Sequence, residues 1–524
     1  MSKTRILKSS TNTAAATTIS RVLGLVRTVL EAKYIGGGTV MTAWELAFMV
    51  PNLFRRLLGE GALGSSLVPL VAYTLQKHGK EQARKDLACI FVALSAVLAV
   101  ICVIIGSGSM VLAHFIETER VKLAFQVLPV VAPYAFFICI IGAMSSVLNS
   151  MKVFFLPALA ATFLNLSMIA CLIWFVPSLS GNPRSMLESL GLSVVISGIA
   201  ELIFIVIILY RMGMMPSFSI AALKNMPVLV ELWKMTLPAM LGASALQISL
   251  VVDNCIACYI NEYAVPSLKY SDRIIYLPIG IFAVSFGSVA LASLSRSAAA
   301  GKIEEMISSM IFSMRHLFFI CVPVTFFIFF FSEPLIRFLF FRGCFGERAL
   351  QETSYAMMCY SVGIPSFAAI KISISGFYSR KDMKTPLKVS ALCIVANIVL
   401  NLILMWPLKQ GGIAIATVIT SVMNNIILLY ILNKELRGIP FEKLLNTLFS
   451  SAMAAGAGIV VAKLVYHYAF FPLKFWHFPE NTIPFCTAGL SFVLIYFLAA
   501  LLFKSPEMKE ISQILFKRRR SRAS

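Results

Sequence analysis

Apolar runs of about 20 residues, the length a bilayer core demands of a helix, recur along this chain from end to end. Lipid offers the backbone no hydrogen bonds, so segments that cross it must satisfy themselves as helices. The expected fold is therefore an all-α polytopic membrane protein of about fourteen transmembrane helices. The spans fall near 11–34, 39–75, 85–112, 122–149, 155–178, 187–211, 230–259, 267–298, 305–331, 352–378, 384–406, 411–433, 445–468 and 482–503. The second is too long for one straight crossing, and Pro51 with Gly59 and Gly61 supplies a break. Only 13% of the 524 residues are charged, against 59% hydrophobic, which leaves no stretch for a sizeable soluble domain.

The formal charge of +21 first suggests nucleic acid as a partner, but its distribution argues against one. Basic residues gather in alternate loops, among them Lys77, Lys80, Arg84 and Lys85, then Arg380, Lys381 and Lys384, and finally Lys517 to Arg522. Intervening loops are poorer and carry acids such as Glu117 and Glu119; the loop with Arg337, Arg342 and Arg348 fits least well. That alternation is the positive-inside pattern, and with an even span count it places both termini in the cytoplasm. The basic tail is a topology anchor that also meets anionic lipid. Ser9 to Thr18 lacks the apolar core of a cleaved signal, so the first helix is expected to be retained. The 11 cysteines lie mostly inside apolar runs and imply no disulfides.

A repeat divides the chain. The series Lys152, Pro157, Asn165, Pro177 returns in the same order as Lys381, Pro386, Asn397, Pro407. Pro278 follows Pro51 by almost the same shift that separates Pro386 from Pro157. Two pseudo-symmetric six-helix halves follow, over 1–215 and 216–437, with two extra helices in 438–503 and a basic tail in 504–524. The shift crosses an even number of spans, so the halves share orientation, as in transporters that work by alternating access.

The residues that hydrocarbon would reject are the functional candidates. Arg21 and Arg27 lie in the first span, Arg55, Arg56 and Glu60 in the second, and Lys269, Asp272 and Arg273 in the eighth. An arginine near mid-membrane costs about 2.5–3.5 kcal/mol, so a cluster is better placed around a wet cavity that holds an anion. Guanidinium groups bind phosphate oxygens in pairs and keep their charge, which suits a diphosphate. Arg27 lies four residues before Glu31, a spacing that allows an internal ion pair. Lys269 and Arg273 share a helix face, and Asp272 is a local partner for an arginine. Arg55 and Arg56 have the alternative of snorkelling to the interface.

A second constellation, Asp253 with Asn397, Asn401 and Thr417, has the oxygen donors of a Na+ site; interhelical hydrogen bonding is the competing explanation. Glu45 and Glu201 are intramembrane acids suited to a proton relay. The chain has no Walker A, H-E-x-x-H or G-x-S-x-G motif and its five histidines are scattered, so the function expected is transport, with no enzyme activity and no organic cofactor.

At these residues the sequence resembles the MurJ (MviN) family of lipid II flippases in the MOP transporter superfamily. The resemblance rests on Ser20-Arg21-Val22-Leu23-Gly24 with Arg27, on Pro51-Asn52-Leu53 through Arg55-Arg56 and Glu60-Gly61-Ala62, and on Gln247-Ile248-Ser249. Asp272-Arg273, Gly376-Phe377-Tyr378-Ser379 and Lys384-Thr385-Pro386 complete it. It implies fourteen helices around a central cationic cavity, a groove for a polyprenyl tail on the last two, and Arg21, Arg27, Arg55, Glu60 and Arg273 as substrate-binding residues. The substrate implied is undecaprenyl-diphosphate-linked MurNAc-pentapeptide-GlcNAc, moved across the bacterial inner membrane for cell-wall synthesis, with Na+ or H+ as coupling ion and the peptidoglycan synthesis machinery as partner. An exporter of another lipid-linked oligosaccharide or small molecule is the alternative. Three positions depart from the family pattern, where acids are replaced by Thr28, Thr42 and Tyr276; Glu31 and Glu45 are placed to compensate.

Overall fold

A computed structural model of the protein describes residues 3–59, 61–216, 226–436, 438–468, 482–503 and 505–510. Glu60 and the arginines of the basic tail lie outside the described residues. Every expected span is helical, and no strand occurs among the described residues. The contacts divide the chain into two compact units, Met1–Cys255 with Arg342–Gly346, and Ile256–Phe341 with Glu347–Ser524. The repeat is a relation of sequence and these units are a relation of packing, and they part the chain at different places.

The first unit begins with α1 (Lys3–Tyr34) and α2 (Thr39–Phe54), followed by a π-helical turn at Arg55–Gly59 and then α3 (Ala62–Lys77). It continues through α4 (Gly79–Leu112), α5 (Glu119–Val131), α6 (Pro133–Ser150), α7 (Phe155–Ala160), α8 (Thr162–Trp174) and α9 (Pro183–Arg211). The long helix α10 (Met226–Ile260) carries the chain out of it. The second unit repeats the opening with α11 (Ala264–Pro278), a π turn at Ile279–Ala283, and α12 (Val284–Ala299). Then come α13 (Ile303–Phe330), α14 (Ser332–Phe340), α15 (Glu347–Ser361), α16 (Ile364–Tyr378), α17 (Lys384–Leu436), α18 (Phe441–Tyr468) and α19 (Thr482–Leu502). Within α17, Lys409 leaves helical geometry (φ 50°, ψ −132°), so this element is two helices meeting at a kink, as the paired spans 384–406 and 411–433 require.

Among the described residues nine helices are long and apolar enough to cross a membrane, and the bent pair α15–α16 makes a tenth. The count of fourteen spans is not reached by that test. The α17 helix counts once, α2 and α3 are each too short to cross alone, α10 contributes only the shorter apolar stretch Gln247–Ile260, and the first span carries the arginines. Exposed side chains such as Val100, Val103 and Ile104 on α4 form the apolar outer surface that lipid tolerates and water does not.

Two landmarks of the sequence repeat share a backbone form. At the end of α6, Val153 N–H donates to Leu148 O (3.0 Å) and Lys152 N–H to Asn149 O (2.9 Å), a Schellman cap with Lys152 at φ 65°. At the end of α16, Asp382 donates to Phe377 O (3.1 Å) and Lys381 to Tyr378 O (3.0 Å), with Lys381 at φ 63°. A left-handed lysine costs about 1–2 kcal/mol. Its charge beside the terminal carbonyls offsets about 0.3–1 kcal/mol of that.

Two further features position the sites. The loop Arg342–Gly346 packs with the first unit, where Cys344 N–H donates to Lys33 O at 2.8 Å beyond α1. In the second unit α18 and α19 dock on α13 through Phe319, Phe485, Phe492 and Tyr496, whose hydroxyl donates to Phe319 O at 2.6 Å. Segment 505–510, expected as part of a basic tail, packs against this group and buries Glu507 completely.

Candidate functional site

Pro51 takes one backbone donor out of α2, and the helix resolves the mismatch by widening into the π turn Arg55–Gly59 one turn later. That turn lies directly on α6. A Cβ built on Gly142 would meet the Cα, C and O of Gly59 at 2.6 Å, so backbone touches backbone and neither helix can give. The consequence is that Arg55 and Arg56 leave the helix at a fixed place. Arg55 is part-buried, its Nε donating to Asn52 Oδ1 at 3.3 Å, while Asn52 Nδ2 donates to Phe48 O at 3.1 Å. Arg56 is exposed and donates to Gln247 Oε1 on α10 at 3.4 Å, which joins two stretches far apart in sequence.

On α1 the expected ion pair is present. Arg27 Nε lies 3.2 Å from Glu31 Oε1, with side chains only 15% and 5% exposed. Arg27 Nη1 also reaches Met168 Sδ on α8 at 3.5 Å. In so dry a setting each charge needs the other, and the arginine is held in one pose as a result. Arg21 is exposed six residues earlier on α1, beside Ser20, whose carbonyl accepts from Asn165 Nδ2 at 3.2 Å. Thr28 and Thr42, which stand where the family pattern has acids, are both buried, and the Thr28 hydroxyl donates to Gly24 O at 2.9 Å. Glu45 is part-buried on α2 and Glu201 is buried on α9.

In the second unit α11 places Lys269 exposed and Asp272 and Arg273 part-buried, immediately before the π turn that follows Pro278. Tyr276, the third departure, is exposed and stacks on Phe367 at 6.1 Å. Sequence reasoning missed Lys371. It is an exposed lysine within the α15–α16 span, and a Cβ on Gly287 of α12 would meet its Cβ at 3.4 Å. One turn on, Ser375 Oγ lies 3.4 Å from Gly287 O. Lys371 and Ser375 stand at the same offset from Gly142 and Ser146 as Pro386 does from Pro157. Ser375 and Ser146 both donate to the carbonyl one turn back, at 2.8 and 2.9 Å. The signal was available in the repeat: where the first half has a glycine against its π-broken helix, the second half has a cation.

The oxygen-rich group is brought together in part. Asn397 Nδ2 donates to Thr417 Oγ1 (3.5 Å) and Thr420 Oγ1 (3.4 Å), and Asn397 Oδ1 accepts from Asn401 Nδ2 (3.1 Å). The threonine hydroxyls donate to Ile413 O and Ala416 O, at 3.0 and 2.9 Å, which leaves their oxygens free to accept. As it stands this is interhelical hydrogen bonding across the two halves of α17. Asp253 belongs to the first unit. Among the described residues no three His, Cys, Asp or Glu side chains gather as metal ligands.

The fold matches that of a solved structure titled lipid II flippase MurJ, inward closed conformation, with a TM-score of 0.76 at 24% identity over 94% of this chain and 98% of that one. It also matches an inward-facing multidrug resistance MATE family transporter of the MOP superfamily, with a TM-score of 0.68 at 15% identity over 80% of this chain and 95% of that one. Multi-pass, helical through its described residues and carrying a π turn in each of its two units, the protein has the fold of the MOP transporters. More narrowly, it belongs to the MurJ family, whose model, described as lipid II flippase MurJ, matches residues 31–477. Relatives named probable lipid II flippase MurJ include one from Vibrio cholerae, 30% identical over 80% of this chain and 81% of its own length. Another, from Buchnera aphidicola of Schizaphis graminum, is 30% identical over 98% of this chain and 100% of its own. The family is one of carriers, not enzymes.

Proposed function

We infer that the chain moves lipid II from the cytoplasmic to the outer leaflet of the bacterial inner membrane by alternating access, supplying peptidoglycan synthesis. The observation that carries this is the family match over residues 31–477. The diphosphate is the part of that substrate which hydrocarbon rejects most strongly, and intramembrane arginines are the groups that answer it. Arg21, Arg27 and Arg55 from the first repeat and Arg273 from the second bind its oxygens, Glu60 completes the set, and Lys269 adds compensating charge on the face of Arg273. Glu31 holds Arg27 in place, with Glu45 and Asp272 balancing the remaining charge. The polyprenyl tail stays in lipid along the last two helices. The π turns at Arg55–Gly59 and Ile279–Ala283 support the reading, because a widened turn lets a helix change its bend without unfolding.

Substrate shifts the inward and outward states only through unequal affinity for them. Return of the empty carrier draws on the membrane potential, worth about 2.3 kcal/mol per charge per 100 mV. A cation is the other source: Na+ at Asp253, Asn397, Asn401 and Thr417, or H+ at Glu45 or Glu201. Both termini face the cytoplasm, where the basic tail meets anionic lipids, and the synthesis machinery is the protein partner. The test is conditional depletion of the host's own flippase with this chain expressed in its place. Lipid II should become accessible to an externally added lipid II-cleaving enzyme with the native chain and not with Arg273→Ala. Equal accessibility with and without the chain would remove the reading.

A further inference from the structure

The two acids of segment 505–510 are held in different ways. Glu507 is saturated: Arg315 donates to Oε1 through Nε (2.8 Å) and lies 2.7 Å from it through Nη2, and the Thr447 hydroxyl of α18 donates at 2.6 Å. The Ser505 hydroxyl donates to Oε2 at 2.7 Å. Glu510 is different. Its Oε2 lies 3.3 Å from His316 Nε2 on α13, yet both atoms are shut off from solvent and neither has a hydrogen-bond partner among the described residues.

The cause is a count of protons. His316 Nδ1 is 2.9 Å from Phe312 O, and a carbonyl only accepts, so Nδ1 carries the hydrogen. A neutral ring then turns a bare lone pair at Nε2 toward a carboxylate oxygen, acceptor against acceptor. One added proton converts the clash into a charge-assisted hydrogen bond.

Phe312 and, from α12, Phe286 cover the ring at 4.1 and 6.5 Å. From α18, Thr447 meets Glu507; α16 meets α13 with Gly376 against Met310, and α19 meets it with Tyr496 on Phe319 O. The charged groups beside the pair are Arg315, whose Nη2 is 4.0 Å from Glu510 Oε1, then Glu507, and Lys509 between the two acids.

We propose that His316 and Glu510 form a proton-binding site, in which one proton shared between Nε2 and Oε2 fastens segment 505–510 to α13. The proton comes from water and returns to it past Glu510, which is 36% exposed where His316 is 8% exposed. The sign follows from the geometry. The fastening holds while the shared proton is bound and is lost when rising pH removes it, while Arg315 and Glu507 keep the segment tethered one turn away. The site therefore sets how firmly the C-terminal segment closes over the junction of α13 and α18, as a function of pH.

The test is hydrogen exchange of the full-length protein in lipid nanodiscs between about pH 6 and 9, corrected for the intrinsic pH dependence of exchange. Opening of segment 505–510 should rise by up to about tenfold per pH unit above the midpoint. In Glu510→Gln the side-chain amide donates to the neutral Nε2 with no added proton, so the dependence should flatten while protection persists. His316→Phe should flatten it with protection lowered throughout, and histidine 15N resonances should show His316 protonating over the same range. Opening that is independent of pH in the native protein, or a native pH dependence retained in Glu510→Gln and His316→Phe, would overturn the proposal.

Discussion

Removing Arg27 should have two consequences that can be separated. The first is structural. Its partner Glu31 is 5% exposed at a distance of 3.2 Å, so Arg27→Ala takes the ion pair away from a buried carboxylate. Breaking such a pair from one side costs about 3–5 kcal/mol, a factor of roughly 10² to 10⁴ in the folding equilibrium. Replacing both members by apolar residues of similar size is about neutral, because the desolvation cost disappears with the charges. Arg27→Leu with Glu31→Leu should therefore recover the thermal midpoint that Arg27→Ala loses. The second consequence is functional, and the double variant keeps it: the guanidinium that meets the diphosphate is still missing. Thermal unfolding of purified protein and lipid II exposure in flippase-depleted cells read the two effects independently. If the double variant flips lipid II at the native rate, Arg27 serves only to neutralise Glu31 and the binding role assigned to it is wrong.

Other substitutions probe other parts of the account. Gly142→Ala should lower the thermal midpoint, because overpacking costs about 1–3 kcal/mol and the 2.6 Å approach to the Gly59 backbone offers no side chain to move; an unchanged midpoint would contradict the fixed seat of the π turn. Asn397→Leu should destabilise by about 0.6–2 kcal/mol, equally in Na+ and in choline, if its amide serves hydrogen bonding between helices; a midpoint that Na+ raises only in the native protein would favour the cation site. Burial pushes the Glu507 carboxyl up, but hydrogen bonds from Thr447, Ser505, the backbone and Arg315 outweigh it and hold the group below the usual carboxylate range. Its contribution is thus complete above that range and lost as pH falls through the lowered value. Protection of segment 505–510 should collapse on strong acidification, and in Glu507→Ala at every pH.

What could be read from the chain in advance depended on whether the cause was local. Pro51 announced a break because a proline removes a donor whatever surrounds it, and its repeat partner Pro278 removes one from α11 in the same way. That both breaks would be π turns was not legible, since the form they take depends on packing, and Gly142 against Gly59 is a contact between residues far apart in the chain. Lys152 and Lys381, paired in the sequence by a few proline landmarks, are both left-handed, a form no local spacing announced. Arg27 and Glu31 could be paired from spacing alone. Lys371 was overlooked because one lysine hardly changes an apolar stretch, and only its alignment with Gly142 marks it. Segment 505–510 read as the start of a basic tail, because Glu507 is one acid near a cationic run and its partner Arg315 lies on a helix far earlier in the chain.

The central claim is that intramembrane guanidinium groups bind the diphosphate of lipid II. It is tested most directly by lipid II affinity in nanodiscs, for the native protein and for Arg21→Ala, Arg55→Ala and Arg273→Ala. Loss of one charge-assisted contact, worth about 1.5–3 kcal/mol, should weaken binding roughly 10- to 150-fold in each variant. Native affinity in all three would contradict the account.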